Sequence, residues 1–137
     1  MKILGVKIDQ ISRPEALELA RNFLSSNSQH LICTPNPEML VAAHQDPYFQ
    51  AILDQSSLNI CDGFGIKLFS IIKKKCKKLN RIAGIDFMQD ICRLAAEAGR
   101  GVYLLGAGDR ETVRMAAETL KEKFSRLKIA GYHPGSE

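Results

Sequence analysis

Gly101-Val102-Tyr103-Leu104-Leu105-Gly106, running on into Ala107-Gly108-Asp109, is a short apolar run closed by a glycine turn and an acidic helix cap. That order is the signature of a buried strand feeding a helix. Downstream, Val113, Ala116, Ala117, Leu120 and Phe124 recur at helical spacing, and Leu127–Tyr132 reads as a further strand. Upstream, Asp86–Glu97 is predicted helical, with Met88, Ile91, Cys92 and Ala95 on one face and Gly99 just past its end.

The same alternation extends to the N-terminus. Leu58–Cys61 predicts a strand, followed by Asp62-Gly63-Phe64-Gly65 and a helix through Ile66, Leu68, Phe69 and Ile72. His30–Cys33 predicts another strand, then Thr34-Pro35-Asn36-Pro37-Glu38, a helix through Met39, Leu40, Ala42 and Ala43, and a short helix over Pro47–Gln55. Ile3–Ile8 reads as one opening strand. Ser12-Arg13-Pro14-Glu15 has capping-box spacing ahead of a helix carrying Ala16, Leu17, Ala20, Phe23 and Leu24. Strands alternating with helices predict an α/β fold: one domain over 1–137, with a mainly parallel, Rossmann-like sheet covered by helices on both faces. A last strand with no helix after it leaves such a sheet partly uncovered. The expectation is therefore that the native polypeptide continues, and that exposed apolar surface favours self-association.

Composition narrows the function class. With 45% hydrophobic and 25% charged residues the chain is globular rather than disordered. Its apolar runs are too short to cross a bilayer, and the opening stretch Met1-Lys2-Ile3-Leu4-Gly5-Val6-Lys7-Ile8-Asp9 reaches a charged residue too soon for a secretory signal. A cytoplasmic setting is expected. The net charge of +4 is concentrated in Lys73, Lys74, Lys75, Lys77 and Lys78, a run that reads either as a solvated segment or as attraction to anionic lipid or a diphosphate. No aromatic residues interleave with these lysines, so a nucleic-acid partner is not supported. Cys33, Cys61, Cys76 and Cys92 form no Cys-x-x-Cys pair, which argues against zinc and favours reduced, structural thiols.

Ligands of open parallel sheets bind beyond the carboxyl ends of the strands, and three polar clusters fall there. In the first, Thr34 and Asn36 offer short hydrogen-bonding side chains between two prolines; they bind a ligand or simply start a helix. In the second, Asp62 beside Gly63 and Gly65 reads as a general base with close backbone approach, or as the cap of the next helix. The third, Gly106-Ala107-Gly108, lacks the last glycine of a dinucleotide fingerprint because position 111 is Glu111. A glycine turn for a phosphate or ribose remains. Arg81 precedes Gly84 and Asp86, and reads as a diphosphate-binding fork or as an ion pair with Asp86. There is no Asp-x-Asp and no metal-ligand spacing, so no metal or cofactor is expected.

In this order, Thr34-Pro35-Asn36-Pro37-Glu38-Met39-Leu40, Asp62-Gly63-Phe64-Gly65, Arg81-Ile82-Ala83-Gly84-Ile85-Asp86 and Leu104-Leu105-Gly106 resemble the WecG/TagA/CpsF glycosyltransferase family, most of all its wall teichoic acid branch. The resemblance covers nearly the whole chain. It implies a metal-independent, inverting transfer of N-acetylmannosamine from UDP to undecaprenyl-diphosphate-linked N-acetylglucosamine, at the inner face of the membrane. Asp62 then falls on the catalytic base, with Thr34 beside it, and Asn36, Arg81, Gly63 and Gly106 fall on substrate-binding positions. Family members continue into a Gly-x-Pro-x-Gln-Glu stretch and a C-terminal appendage, neither of which occurs in this sequence. Relatives using another UDP-hexose, a nicotinamide oxidoreductase suggested by Gly106-Ala107-Gly108, and a non-catalytic nucleotide- or lipid-binding module are the competing readings.

Overall fold

The computed structural model describes residues 1–60, 62, 80–106 and 108–135. The predicted helix through Ile66 to Ile72, the lysine run, Cys61, Cys76 and Gly63 lie outside the described residues.

The opening segment is a hairpin rather than one strand. β1 (Lys2–Ile3) and β2 (Val6–Lys7) pair antiparallel, Lys2 opposite Lys7 and Ile3 opposite Val6. Leu4 and Gly5 take positive φ of 49° and 92° between them, as a two-residue turn matching strand twist requires. Apolar Ile3, Val6 and Ile8 imitate a continuous strand, and only the glycine marks the reversal. All three are buried and pack with Leu40, Ala43 and Leu53.

α1 (Arg13–Ser25) starts at the predicted capping box: the Ser12 N–H donates to Glu15 Oε2 at 2.8 Å, and the Ser12 side chain accepts from the Glu15 amide. The Ser12 hydroxyl and amide hold the Glu15 carboxyl below the usual range. β3 (Ile32–Cys33) leads into α2 (Pro37–Gln45) and α3 (Pro47–Gln55), both with proline in the first turn. β4 (Leu58–Asn59) returns parallel to β3, with Ile32 opposite Leu58 and Cys33 opposite Asn59. Asn59 is fully buried, its amide nitrogen donating to the Leu53 carbonyl at 2.6 Å and its backbone N–H to Asp9 at 3.0 Å.

α4 (Gly84–Glu97) is the central helix. Phe87 and Leu94 join Ala16, Ala20, Leu58, Ile60 and Ile82 in one core cluster, while Cys92 and Ala95 join Leu120 and Leu127 in another. β5 (Gly101–Leu105) and β6 (Lys128–His133) pair parallel around α5 (Arg110–Lys123), with an irregularity between Val102 and Tyr103.

The architecture is thus mixed α/β with parallel pairing in the predicted order. Among the described residues the strands hydrogen-bond in three pairs, not as one sheet. Val102, Leu104 and Ile129 of β5–β6 pack toward the α4–α5 core, whereas Tyr103 and Leu105 on the other face are 58% and 75% exposed. No described helix is long and apolar enough to cross a membrane.

Candidate functional site

The parallel ladder of β3 and β4 continues past the strands themselves. The Ile60 N–H donates to the Cys33 carbonyl at 3.0 Å, and the Asp62 N–H donates to that of Pro35 at 3.2 Å. Pro35 is fully buried, so this rung is anchored. Thr34 and Asp62 are thereby brought side by side at the carboxyl edge of the pair, where a parallel sheet places its ligands.

The Asp62 carboxylate is held from one side by the start of α4. Its Oδ2 accepts the Gly84 N–H at 2.8 Å. Ala83, the N-cap residue of α4, has no side-chain cap of its own, so a residue 22 positions away supplies one. A Cβ added at Gly84 would lie 2.8 Å from Thr34 Oγ1 and 3.1 Å from Asp62 Oδ2, so both side chains border the same point above this glycine. On the other side, Arg81 places a guanidinium nitrogen 3.9 Å from Asp62 Oδ1. The Arg81 side chain is half exposed and that of Asp62 29% exposed, so this is a loose, hydrated pair of the kind worth about 0–1 kcal/mol. Arg81 pairs with Asp62 here; Asp86 instead lines a groove with Arg13, Asp90 and Arg93. Buried Ile82 anchors the segment that carries the arginine.

Asn36 stands two residues beyond Thr34 and caps α2, its Oδ1 accepting the Met39 N–H at 2.8 Å. The oxygen serves the helix; the amide nitrogen is a donor of a kind suited to a sugar hydroxyl or phosphate. Gly106 ends β5 at a φ of 109° and donates its N–H to the His133 carbonyl at 3.0 Å, while Gly108 donates to that of Pro134 at 3.3 Å. This turn is tied to β6, and its hydrogen bonds do not reach Thr34 or Asp62. Asp109 caps α5, accepting the Thr112 N–H at 2.8 Å, and the Thr112 hydroxyl and amide keep its carboxyl low.

A cleft of about 330 Å³ runs from Thr34 and Gly84 over α4, lined by Phe87 and Met88, to Tyr103 and Leu104 of β5. Sequence reading did not anticipate Tyr103 or Gly84 here. The signal for Gly84 was a glycine opening a helix that has no capping residue before it. A larger cavity of about 500 Å³ lies at the opposite, amino end of β4, by Ser57 and Leu58. Its rim carries the acidic side chains Asp9, Glu15 and Glu18, which repel an anionic ligand.

A family model for the glycosyl transferase WecG/TagA/CpsF family matches residues 1–137. The chain belongs to this family. It is 30% identical over 117 residues to an N-acetylglucosaminyldiphosphoundecaprenol N-acetyl-beta-D-mannosaminyltransferase of Bacillus spizizenii, covering 85% of this chain and 45% of that protein. To the protein of the same description in Staphylococcus aureus strain NCTC 8325 it is 29% identical over 133 residues, 96% of this chain and 52% of the relative. The chain spans about half the length of the curated relatives it matches.

Proposed function

We propose that this chain forms the donor-handling and base-bearing part of an inverting glycosyltransferase. It moves N-acetylmannosamine from its UDP donor to undecaprenyl-diphosphate-linked N-acetylglucosamine, the linkage-unit step of wall teichoic acid synthesis. The reading rests on one observation above all: a partly exposed carboxylate, Asp62, set at a strand end beside Thr34 and within reach of the Arg81 cation. The names of the Bacillus and Staphylococcus relatives supply the sugar and the acceptor.

The step is a single displacement. Asp62 takes the proton of the acceptor 4-hydroxyl, and that oxygen attacks the anomeric carbon on the face opposite the diphosphate. The carbon–oxygen bond to phosphate breaks and UDP leaves with its electron pair, so configuration inverts. Developing charge on the diphosphate is met by the Arg81 guanidinium, without a metal ion. Thr34 and Asn36 orient the reacting sugars. The strand pairs belong to a Rossmann-like sheet in this reading, and the Lys73–Lys78 run draws the enzyme to the inner face of the membrane, where its lipid acceptor resides.

The test is a transfer assay on the full-length protein with a short-chain lipid-diphosphate N-acetylglucosamine acceptor, offering UDP-N-acetylmannosamine alongside other UDP-hexoses. Turnover with the N-acetylmannosamine donor is expected. Turnover only with another hexose replaces the substrate assignment, and transfer from none of them removes the proposal.

A further inference from the structure

The α4 N-terminus does more for Asp62 than share space with it. We infer that Gly84 is a positioning residue for the transfer reaction, an inference that rests on Asp62 being the base. Its backbone N–H fixes Oδ2, which sets the plane of the carboxylate and presents Oδ1, the oxygen on the Arg81 side, as the atom that receives the acceptor's proton.

Three observations carry this. First, the 2.8 Å bond from Gly84 to Oδ2 contrasts with the 3.9 Å separation of Oδ1 from Arg81, so the two carboxylate oxygens are differently held. Second, Gly84 is not among the positive-φ glycines, so its backbone conformation does not call for glycine. Nor does helix formation, since alanine is the better helix residue. What excludes a side chain is crowding, because a Cβ would press on Thr34 Oγ1 at 2.8 Å and on the very oxygen the amide holds. Third, the donor sits on rigid ground: Phe87, one turn into α4, is 1% exposed, and Ile82 just before the helix is 4% exposed. A carboxylate after a strand is thereby tied to a helix that buries Phe87, Cys92, Leu94 and Ala95. Fixing the base in an attack-ready orientation is the kind of arrangement that loses one to two orders of magnitude when displaced by about 1 Å.

The test replaces Gly84 by glycolic acid in the full-length protein, turning the amide into an ester. The N–H disappears and no atom is added to the crowded point. An identical ester at Ile85 serves as control, since it weakens the same helix end without touching the Asp62 bond. Gly84→Ala is the second probe, and Asp62→Asn reports on the underlying reading. Expected for the Gly84 ester and Gly84→Ala is a fall in kcat of about 10-fold or more, with the donor KM within about twofold. The Ile85 ester should keep wild-type kcat, and circular dichroism melts should show all variants folded. Wild-type kcat in the Gly84 ester, a loss confined to KM, or equal losses from the two esters overturns the positioning role while Asp62→Asn remains inactive. Full activity of Asp62→Asn removes the base assignment itself, and the role of Gly84 with it.

Discussion

The backbone N–H of Asp62 donates to the Pro35 carbonyl across 3.2 Å, extending the β3–β4 pairing into the loops that follow. Because main-chain pairing sets the location of Asp62, its side chain can be exchanged without moving the loop. Asp62→Asn keeps shape and hydrogen-bonding reach but removes the proton acceptor. The expected result is a loss of about 100-fold or more in kcat with donor KM nearly unchanged, as removal of a general base produces. Steady-state transfer kinetics on the full-length protein decide it; retention of wild-type kcat sinks the base.

Arg81 should behave differently. Its contact with Asp62 is long and half exposed, so its removal costs little stability. If its guanidinium serves the diphosphate, Arg81→Ala weakens UDP binding about 10-fold, or ~1.4 kcal/mol. Arg81→Lys falls between, since it keeps the charge but loses the planar fork. Titration calorimetry with UDP measures both, and unchanged affinity in Arg81→Ala returns the residue to a purely local ion pair.

How far the sequence foretold this arrangement depends on the range of the interaction concerned. Local signals carried well: the Ser12–Glu15 box, the prolines at 37 and 47 and the Asp109 cap are each decided within four residues. The parallel order of β3 with β4 and of β5 with β6 also followed from the alternation of elements. The Leu4-Gly5 reversal was hidden, because Leu4 is an unusual residue to adopt positive φ and the apolar residues run on across it. Predicted helix Asp86–Glu97 begins earlier, at Gly84, since its cap comes from Asp62 rather than from a neighbour. Asp62 had two readings, a base or the cap of the helix directly following it. Its observed bond is to a helix 22 residues on, which no local pattern encodes.

Asn36 separates capping from ligand binding. Asn36→Asp retains an oxygen for the Met39 amide, whereas Asn36→Ala loses it. The alanine variant should lose about 1 kcal/mol of stability, a fall in Tm of roughly 4 °C for a domain of this size, and the aspartate variant little. If the amide nitrogen also touches substrate, Asn36→Asp loses activity despite its intact fold, because a carboxylate cannot donate and repels phosphate. Melting curves and transfer rates on the same two variants check this. An Asn36→Asp protein that is both stable and fully active confines the residue to its cap.

Cys92 and Cys33 supply a pH dependence whose sign is fixed. Cys92 is 2% exposed, with its Sγ 3.6 Å from Met88 Sδ, and burial pushes both thiols above their ordinary range. A raised pKa in the folded state means that the unfolded chain releases its protons first. Their contribution to stability is therefore complete below the ordinary thiol value of about 8.5, and is lost as pH rises above it. The wild-type Tm should fall more steeply between about pH 8.5 and 10 than that of the Cys33→Ala, Cys92→Ala double variant, even though truncation lowers the variant's stability by about 1 kcal/mol or more at neutral pH. For the same reason, alkylation of Cys92 by iodoacetamide at neutral pH should wait on local opening of the α4–α5 core. Thermal melts across that pH range, with labelling followed by mass spectrometry, provide the measurement. Parallel pH profiles for the two proteins, or rapid labelling of native Cys92, would show the thiols to be more accessible than the packing of Cys92 against Leu120 and of Cys33 beside Leu40 and Leu53 allows.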